Sequence, residues 1–145
     1  MTIGRNEIAQ MIPHAGRMCL LDAVSRWSAS AILCRATSHR DADHPLALGG
    51  RLPVLAGLEY AAQAMAVHGC LSASVEERPR AGVIAIVRAL SWSVSHLDDI
   101  AETLDIEAEK LAGDGAGALY GFRVSAEGRV LLSGRASVLL TLEPT

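Results

Sequence analysis

The sequence predicts an α+β fold in which one long apolar helix is wrapped by a curved antiparallel sheet. Three observations carry this. Residues Leu52 to Ser72, LPVLAGLEYAAQAMAVHGCLS, hold one formal charge, Glu59, and read apolar on every side, the pattern of a helix enclosed by other elements. After them come short alternating runs separated by turn dipeptides, the pattern of a strand meander. The connections between these runs are too short for βαβ crossovers, which excludes a parallel sheet there.

The elements follow in order. Residues 5 to 12, RNEIAQMI, read as a short helix that ends at the Pro13 boundary. Pro13, Gly16 and the apolar Met18-Cys19-Leu20-Leu21 read as a turn feeding a packed segment, and the weakly alternating stretch from Val24 to Thr37 as a first strand. Ser38 to Arg51, SHRDADHPLALGGR, is polar and rich in breakers, hence a loop, and it carries two of the five histidines. The central helix starts near Pro53, whose missing N–H costs nothing in a first turn, and weakens at Gly69 before Ser72. Leu90, Trp92, Val94 and His96 alternate with serines. Leu104–Leu111, Leu119–Val124 and Val130–Leu142 form further strands, joined by turns at Asp114-Gly115 and Glu127-Gly128. In the last, Val130, Leu132, Ala136, Val138, Leu140 and Leu142 fall on one face, so this strand is expected to be long and central to the sheet.

The 145 residues, 50% hydrophobic and 20% charged, suit one domain spanning 1–145 with a single core. A net charge of -3 and 3% aromatic residues give neither the basic footprint nor the stacking platforms of a nucleic-acid binder. The central helix is about 20 residues long, enough for a bilayer, but Glu59 inside the span and the many alanines argue against a membrane helix. The N-terminus shows no apolar run of a signal peptide, so a soluble, cytoplasmic protein is expected. Cys19, Cys34 and Cys70 are odd in number and contain no C-x-x-C pair, which points to small buried hydrophobes and to no disulfide framework, zinc site or other metal.

Two blocks narrow the reading. Ile12 to Val24, IPHAGRMCLLDAV, resembles the I-P-H-R-x-P-x-L-L-x-D-R-V opening of bacterial 3-hydroxyacyl-acyl carrier protein dehydratases. Leu52 to Ala64, LPVLAGLEYAAQA, resembles the start of their central helix, and the two blocks fall in the same order around a polar loop. Arg51, Leu52, Pro53, Gly57, Glu59, Tyr60, Ala62, Gln63 and Ala64 are similar to the R-L-P-x-x-x-G-x-E-Y-x-A-Q-A start typical of the dehydratase-like branch found in aryl polyene and polyketide-type pathways. The resemblance implies the hot-dog fold, no cofactor, and a homodimer or a dimer with a second hot-dog subunit whose active sites lie between protomers.

It also implies site residues. Glu59 matches the family acid, and His44 is the nearest match to the loop histidine that acts with it from the opposite protomer, with His39 as the fallback base. Asp43 stands where the family has Gly, Pro45-Leu46 where it has Phe-Pro-Gly, and Val54 where it has the Gly after the helix-opening Pro. The matching histidine of the I-P-H block, His14, is not the proton-transfer residue and is expected to fix a turn.

Dehydration of a 3-hydroxyacyl thioester removes a weakly acidic proton at C2 and a hydroxyl at C3, so a base and an acid must flank the same two carbons. Burial among apolar atoms would favour the acid form of Glu59, which could then protonate the departing hydroxyl, against the helix dipole. N–H groups near Ala56 and Gly57 are candidates for the enolate oxygen. Gln63, four residues from Glu59 on the same helix face, is expected to orient it or cross an interface. Leu55, Leu58 and Met65 are candidate walls of an acyl tunnel. Arg51, Arg78, Arg80 and Arg88 could steer an acidic carrier protein, the alternative thioester being that of coenzyme A. The bland reading of Glu59 is an acid paired within an interface, and that of the loop histidines a solvated surface; His68 and His96 read as structural.

Two further functions compete with the dehydratase. Hot-dog thioesterases use a carboxylate on or near the same helix to activate water. A catalytically weak subunit supporting an active hot-dog partner would accommodate Asp43, Pro45 and Val54.

Overall fold

The computed structural model describes residues 2–12, 18–73, 82–113 and 117–140. They form strand β1 (Ile3–Gly4), helix α1 (Arg5–Met11), β2 (Ala23–Trp27), β3 (Ala31–Ala36), helix α2 (Gly57–Ser72), β4 (Gly82–Trp92), β5 (Leu104–Gly113), β6 (Gly117–Ala126) and β7 (Arg129–Leu140). The strands make one sheet in the order β1-β2-β3-β5-β6-β7-β4, and every pair is antiparallel. Helix α2 lies against β3, β5 and β6, and its Tyr60, Ala61 and Ala64 belong to the same buried core as Ile106 of β5 and Val124 of β6. A long helix wrapped by an antiparallel sheet is the hot-dog fold, as expected.

Several boundaries differ from the sequence reading, each for a local reason. The stretch 24–37 is not one strand but the hairpin β2–β3. Ser28 N–H donates to Ala31 O at 2.8 Å and Ser28 Oγ accepts from Ser30 N–H at 3.3 Å, so small hydroxyl residues turn the chain without Gly or Pro. Strand β4 lies earlier than the Leu90–His96 alternation suggests. A bulge between Arg88 and Ser91, with Ala89 at φ 54, re-aims its end, and Val94 and His96 fall in the loop beyond. There His96 bridges Pro53.

Strand β7 is long, at 12 residues, but lies one place from the sheet edge, with β5 in the middle. Its expected single apolar face is broken. Val124 pairs with Leu132 and Ser125 with Val130, so Leu131 is an extra, fully buried residue and Val130 turns outward, 38% exposed. The Glu127-Gly128 turn stands as expected, both residues having positive φ in a tight hairpin between β6 and β7. The Asp114-Gly115 turn lies outside the described residues.

The central helix opens with a 3-10 turn, Val54–Ala56, before α2 proper. It is not enclosed on all sides. Tyr60, Gln63, Ala64, Met65, Val67 and His68 are buried, while Leu58, Glu59, Ala62, Ala66 and Gly69 run half-buried along one stripe. Gly57 faces the sheet: a Cβ there would stand 2.7 Å from Leu132 Cδ2, so the missing side chain lets the helix start rest directly on β6 and β7.

Candidate active site

Glu59 sits in the first turn of α2, half-buried, at the opening of the small-residue stripe. One turn on, Gln63 is 3% exposed and uses its whole amide. Its Oε1 accepts from Leu20 N–H at 2.9 Å, and its Nε2 donates to Met18 O at 2.6 Å and to Glu59 Oε1 at 3.2 Å. The packed segment after the I-P-H block is thereby stitched to the helix, and Glu59 Oε1 is held by an N–H whose own position is fixed by two backbone groups.

A second line of hydrogen bonds begins at His44, which is 5% exposed. Leu46 N–H donates to His44 Nδ1 at 3.0 Å, so this nitrogen is the acceptor and the ring proton lies on Nε2. That Nε2–H donates to Tyr60 Oη at 2.9 Å; Tyr60 O–H donates to Ser38 Oγ at 2.7 Å; Ser38 O–H donates to Leu20 O at 2.9 Å. Tyr60 is fully buried, and burial pushes its phenol well above the usual tyrosine range, keeping it a donor. Tyr60 and Ser38 were not singled out for this role in the sequence. The adjacency of Tyr60 to Glu59 in E-Y-x-A-Q was the available signal.

His39 is fully buried in the 3-10 turn Ser38–Arg40, where Nε2–H donates to Ile100 O at 3.0 Å and Nδ1 has no well-formed hydrogen bond. Burial lowers its pKa. It ties two turns together from within the core and is no surface residue. His68 is likewise fully buried: Nε2–H donates to Ser28 O at 2.9 Å, and Nδ1 accepts from Tyr120 O–H at 2.7 Å. Burial lowers the His68 pKa and pushes the Tyr120 phenol up to about 12. His14 lies outside the described residues, as do Arg78 and Arg80.

Arg51 forks onto Asp98 at 2.7 Å and Asp99 at 2.8 Å, while Asp98 Oδ1 accepts from Leu52 N–H at 2.8 Å. With Val54 N–H donating to Ser95 O and Leu97 N–H to Leu52 O, these contacts clamp the helix entry to the loop after β4. Arg51 is thus a clamp in this chain. Ala56 N–H donates to Pro53 O at 3.0 Å and Gly57 N–H to Val54 O, so both are engaged within the 3-10 turn.

The expected tunnel residues are separated. Leu55 is 47% exposed, Leu58 is half-buried on the Glu59 stripe, and Met65 is buried. A cleft of about 390 Å³ elsewhere is lined by residues of β3 to β7, among them Glu107, Arg123 and Arg135, and by none of these three. Cys19 and Cys34 are buried; burial raises both thiols, that of Cys34 to about 12, which removes the thiolate a nucleophile needs. Among the described residues no cluster of three or more His, Cys, Asp or Glu could hold a metal ion, and no helix is long and apolar enough to cross a membrane.

The sequence pattern of the ApeP-like family, described as ApeP dehydratase, matches residues 6–144. The chain belongs to the ApeP-like dehydratase family. In structure it is similar to a chain of "The Dehydratase Heterocomplex ApeI:P from Xenorhabdus doucetiae", with TM-score 0.82 and 25% identity over 94% of this chain and 91% of that one. A thioesterase from Haemophilus influenzae superposes with TM-score 0.66 at 11% identity, covering 97% of this chain and 92% of its own. A hypothetical thioesterase with coenzyme A from Streptococcus pneumoniae gives 0.57 at 11%, covering 84% and 87%. These two share the fold. No curated protein matches the sequence. Membership of an ApeP-like dehydratase family agrees with the E-Y-x-A-Q helix start and sets the dehydratase reading ahead of the thioesterase one.

Proposed function

We propose that this ApeP-like chain acts on a 3-hydroxyacyl thioester, carried on an acyl carrier protein or on coenzyme A, and takes part in its dehydration to the trans-2-enoyl thioester in fatty-acid or polyene-type biosynthesis. The observation that carries the reading is the placement of Glu59. A carboxyl group stands in the first turn of the central helix, on the half-open stripe, with one oxygen held by Gln63. In the reaction a histidine takes the C2 proton, the C3–O bond breaks, and Glu59 delivers a proton to the departing hydroxyl so that it leaves as water. The loop before the helix holds His44 and His39, both buried and hydrogen-bonded within this subunit.

Glu59 works at an interface with another hot-dog subunit, a second copy or a related chain. The ApeI:P heterocomplex favours a related chain as partner. The last strand of the sheet, β4, offers an edge of 11 residues that carries the exposed Ile86 and Trp92, with exposed Leu139 on neighbouring β7, a surface suited to extension by another sheet. A single domain of about this length suffices for one such subunit.

The test is turnover of a 3-hydroxyacyl-carrier thioester by the purified protein, alone and with a co-expressed hot-dog dehydratase subunit, comparing wild type with Glu59→Gln. Enoyl product that depends on Glu59 supports the reading. Release of free carrier thiol in place of enoyl product would make the chain a thioesterase.

A further inference from the structure

We propose that His44 is a positioning residue for Glu59, acting through Tyr60, Ser38, Leu20 and Gln63, and is not the group that removes the C2 proton. The inference rests on the dehydratase reading.

Two features of the geometry carry it. The first is the tautomer. A general base needs an unprotonated ring nitrogen directed at the substrate. Here the lone pair of Nδ1 is taken by Leu46 N–H at 3.0 Å, and Nε2 carries the proton that it donates to Tyr60 Oη. The proton cannot move to Nδ1 without breaking the Leu46 bond, and the ring is 5% exposed. The second is the direction of the line of bonds. Every donor from His44 onward points the same way, through Tyr60 and Ser38 to the carbonyl of Leu20. The N–H of that same residue donates to Gln63 Oε1, and Gln63 Nε2–H donates to Glu59 Oε1. Leu20 is therefore gripped from both sides, and the grip ends on the acid. Chains of this kind polarise and fix one another's members. The tight Asp43-His44-Pro45-Leu46 turn supplies the Leu46 N–H that sets the tautomer.

Two measurements on the purified full chain test this. Nitrogen-15 NMR of the histidine rings and of the Gln63 side-chain amide reads the wiring without any turnover. The expected result is a His44 ring protonated at Nε2 and bare at Nδ1. Gln63 amide signals should shift in Tyr60→Phe and in His44→Phe and return towards wild type in His44→Gln, whose amide can still donate to Tyr60. A His44 protonated at Nδ1, or a Gln63 amide indifferent to Tyr60→Phe, would overturn the proposal. The second measurement is kcat on a 3-hydroxyacyl-carrier thioester in the assembled dehydratase. His44→Phe and Tyr60→Phe should each lower kcat about five- to tenfold, while His44→Gln, unable to accept a proton, stays within about threefold of wild type. A loss of about a hundredfold or more in His44→Gln, the scale of a missing general base, would overturn it. Should no preparation turn over the thioester, the dehydratase reading fails, while the NMR result still decides whether His44 holds Glu59 in place.

Discussion

Gln63 donates to Glu59 across one helical turn at 3.2 Å while its carbonyl holds Leu20 N–H at 2.9 Å, so the acid and the segment after the I-P-H block share one amide. The helix contributes the acid and its orienter as an i, i+4 pair. The distant segment contributes the two backbone groups that stop the orienter from rotating.

Replacing Gln63 by Leu keeps the volume and removes all three bonds. Leu20 N–H and Met18 O then lose their partner in the interior, for which a loss of about 2–4 kcal/mol is expected. Urea unfolding of the two proteins measures it. Gln63→Leu should also lower dehydratase activity in parallel with Glu59→Gln.

Glu59→Gln keeps shape and hydrogen bonding but cannot deliver a proton. Turnover is expected to fall by about 10²–10⁴-fold, the range for a missing general acid, with little change in Tm because Glu59 is half-buried. Steady-state kinetics beside a thermal melt separates the two effects.

Gly57→Ala places a methyl group 2.7 Å from Leu132 Cδ2. A destabilisation of about 1–3 kcal/mol is expected from overpacking. Leu132→Ala in the same chain should relieve part of it, a coupling that a double-mutant cycle reads directly.

His39 and His68 both have folded-state pKa values lowered by burial, so the native state holds them neutral. A depressed pKa means that the unfolded chain binds more protons in the interval between the folded value and the ordinary one of about 6.5. Their contribution to stability is complete above that ordinary value and is lost as the pH falls below it, through the folded values. Unfolding midpoints should therefore drop from pH 7.5 to pH 5, and His68→Gln should flatten the slope while costing stability at pH 7.5.

Ile86→Lys on edge strand β4 places a charge where another sheet would add. The variant should stay folded yet sediment as a monomer where wild type associates, since Ile86 is 47% exposed and contributes little to the core.

Much of the architecture was legible along the chain because it depends on local periodicity. Helix α1, the central helix, β5, β6 and the Glu127-Gly128 turn each carry a short-range signal in apolar spacing or backbone permissiveness. The failures lie where a single residue changes phase. Ser28 to Ser30 fold a hairpin with no Gly or Pro, Ala89 adopts a positive φ in β4, and Leu131 adds one residue to β7 and turns Val130 outward. A bulge leaves the composition of a strand unchanged and reverses which face it buries, so alternation cannot reveal it.

The site divides in the same way. Glu59 and Gln63 were recognisable together because one helix turn sets their relation, and their place in the E-Y-x-A-Q motif marked them. Only the tertiary structure decided what holds them, because Gln63 meets residues 43 and 45 positions away in the chain and His44 reaches Leu20 through two hydroxyl groups. Which nitrogen of His44 carries its proton depends on one backbone N–H in a loop. That choice follows from where the fold places Leu46 and Tyr60, and not from the residue's type or its position in a motif.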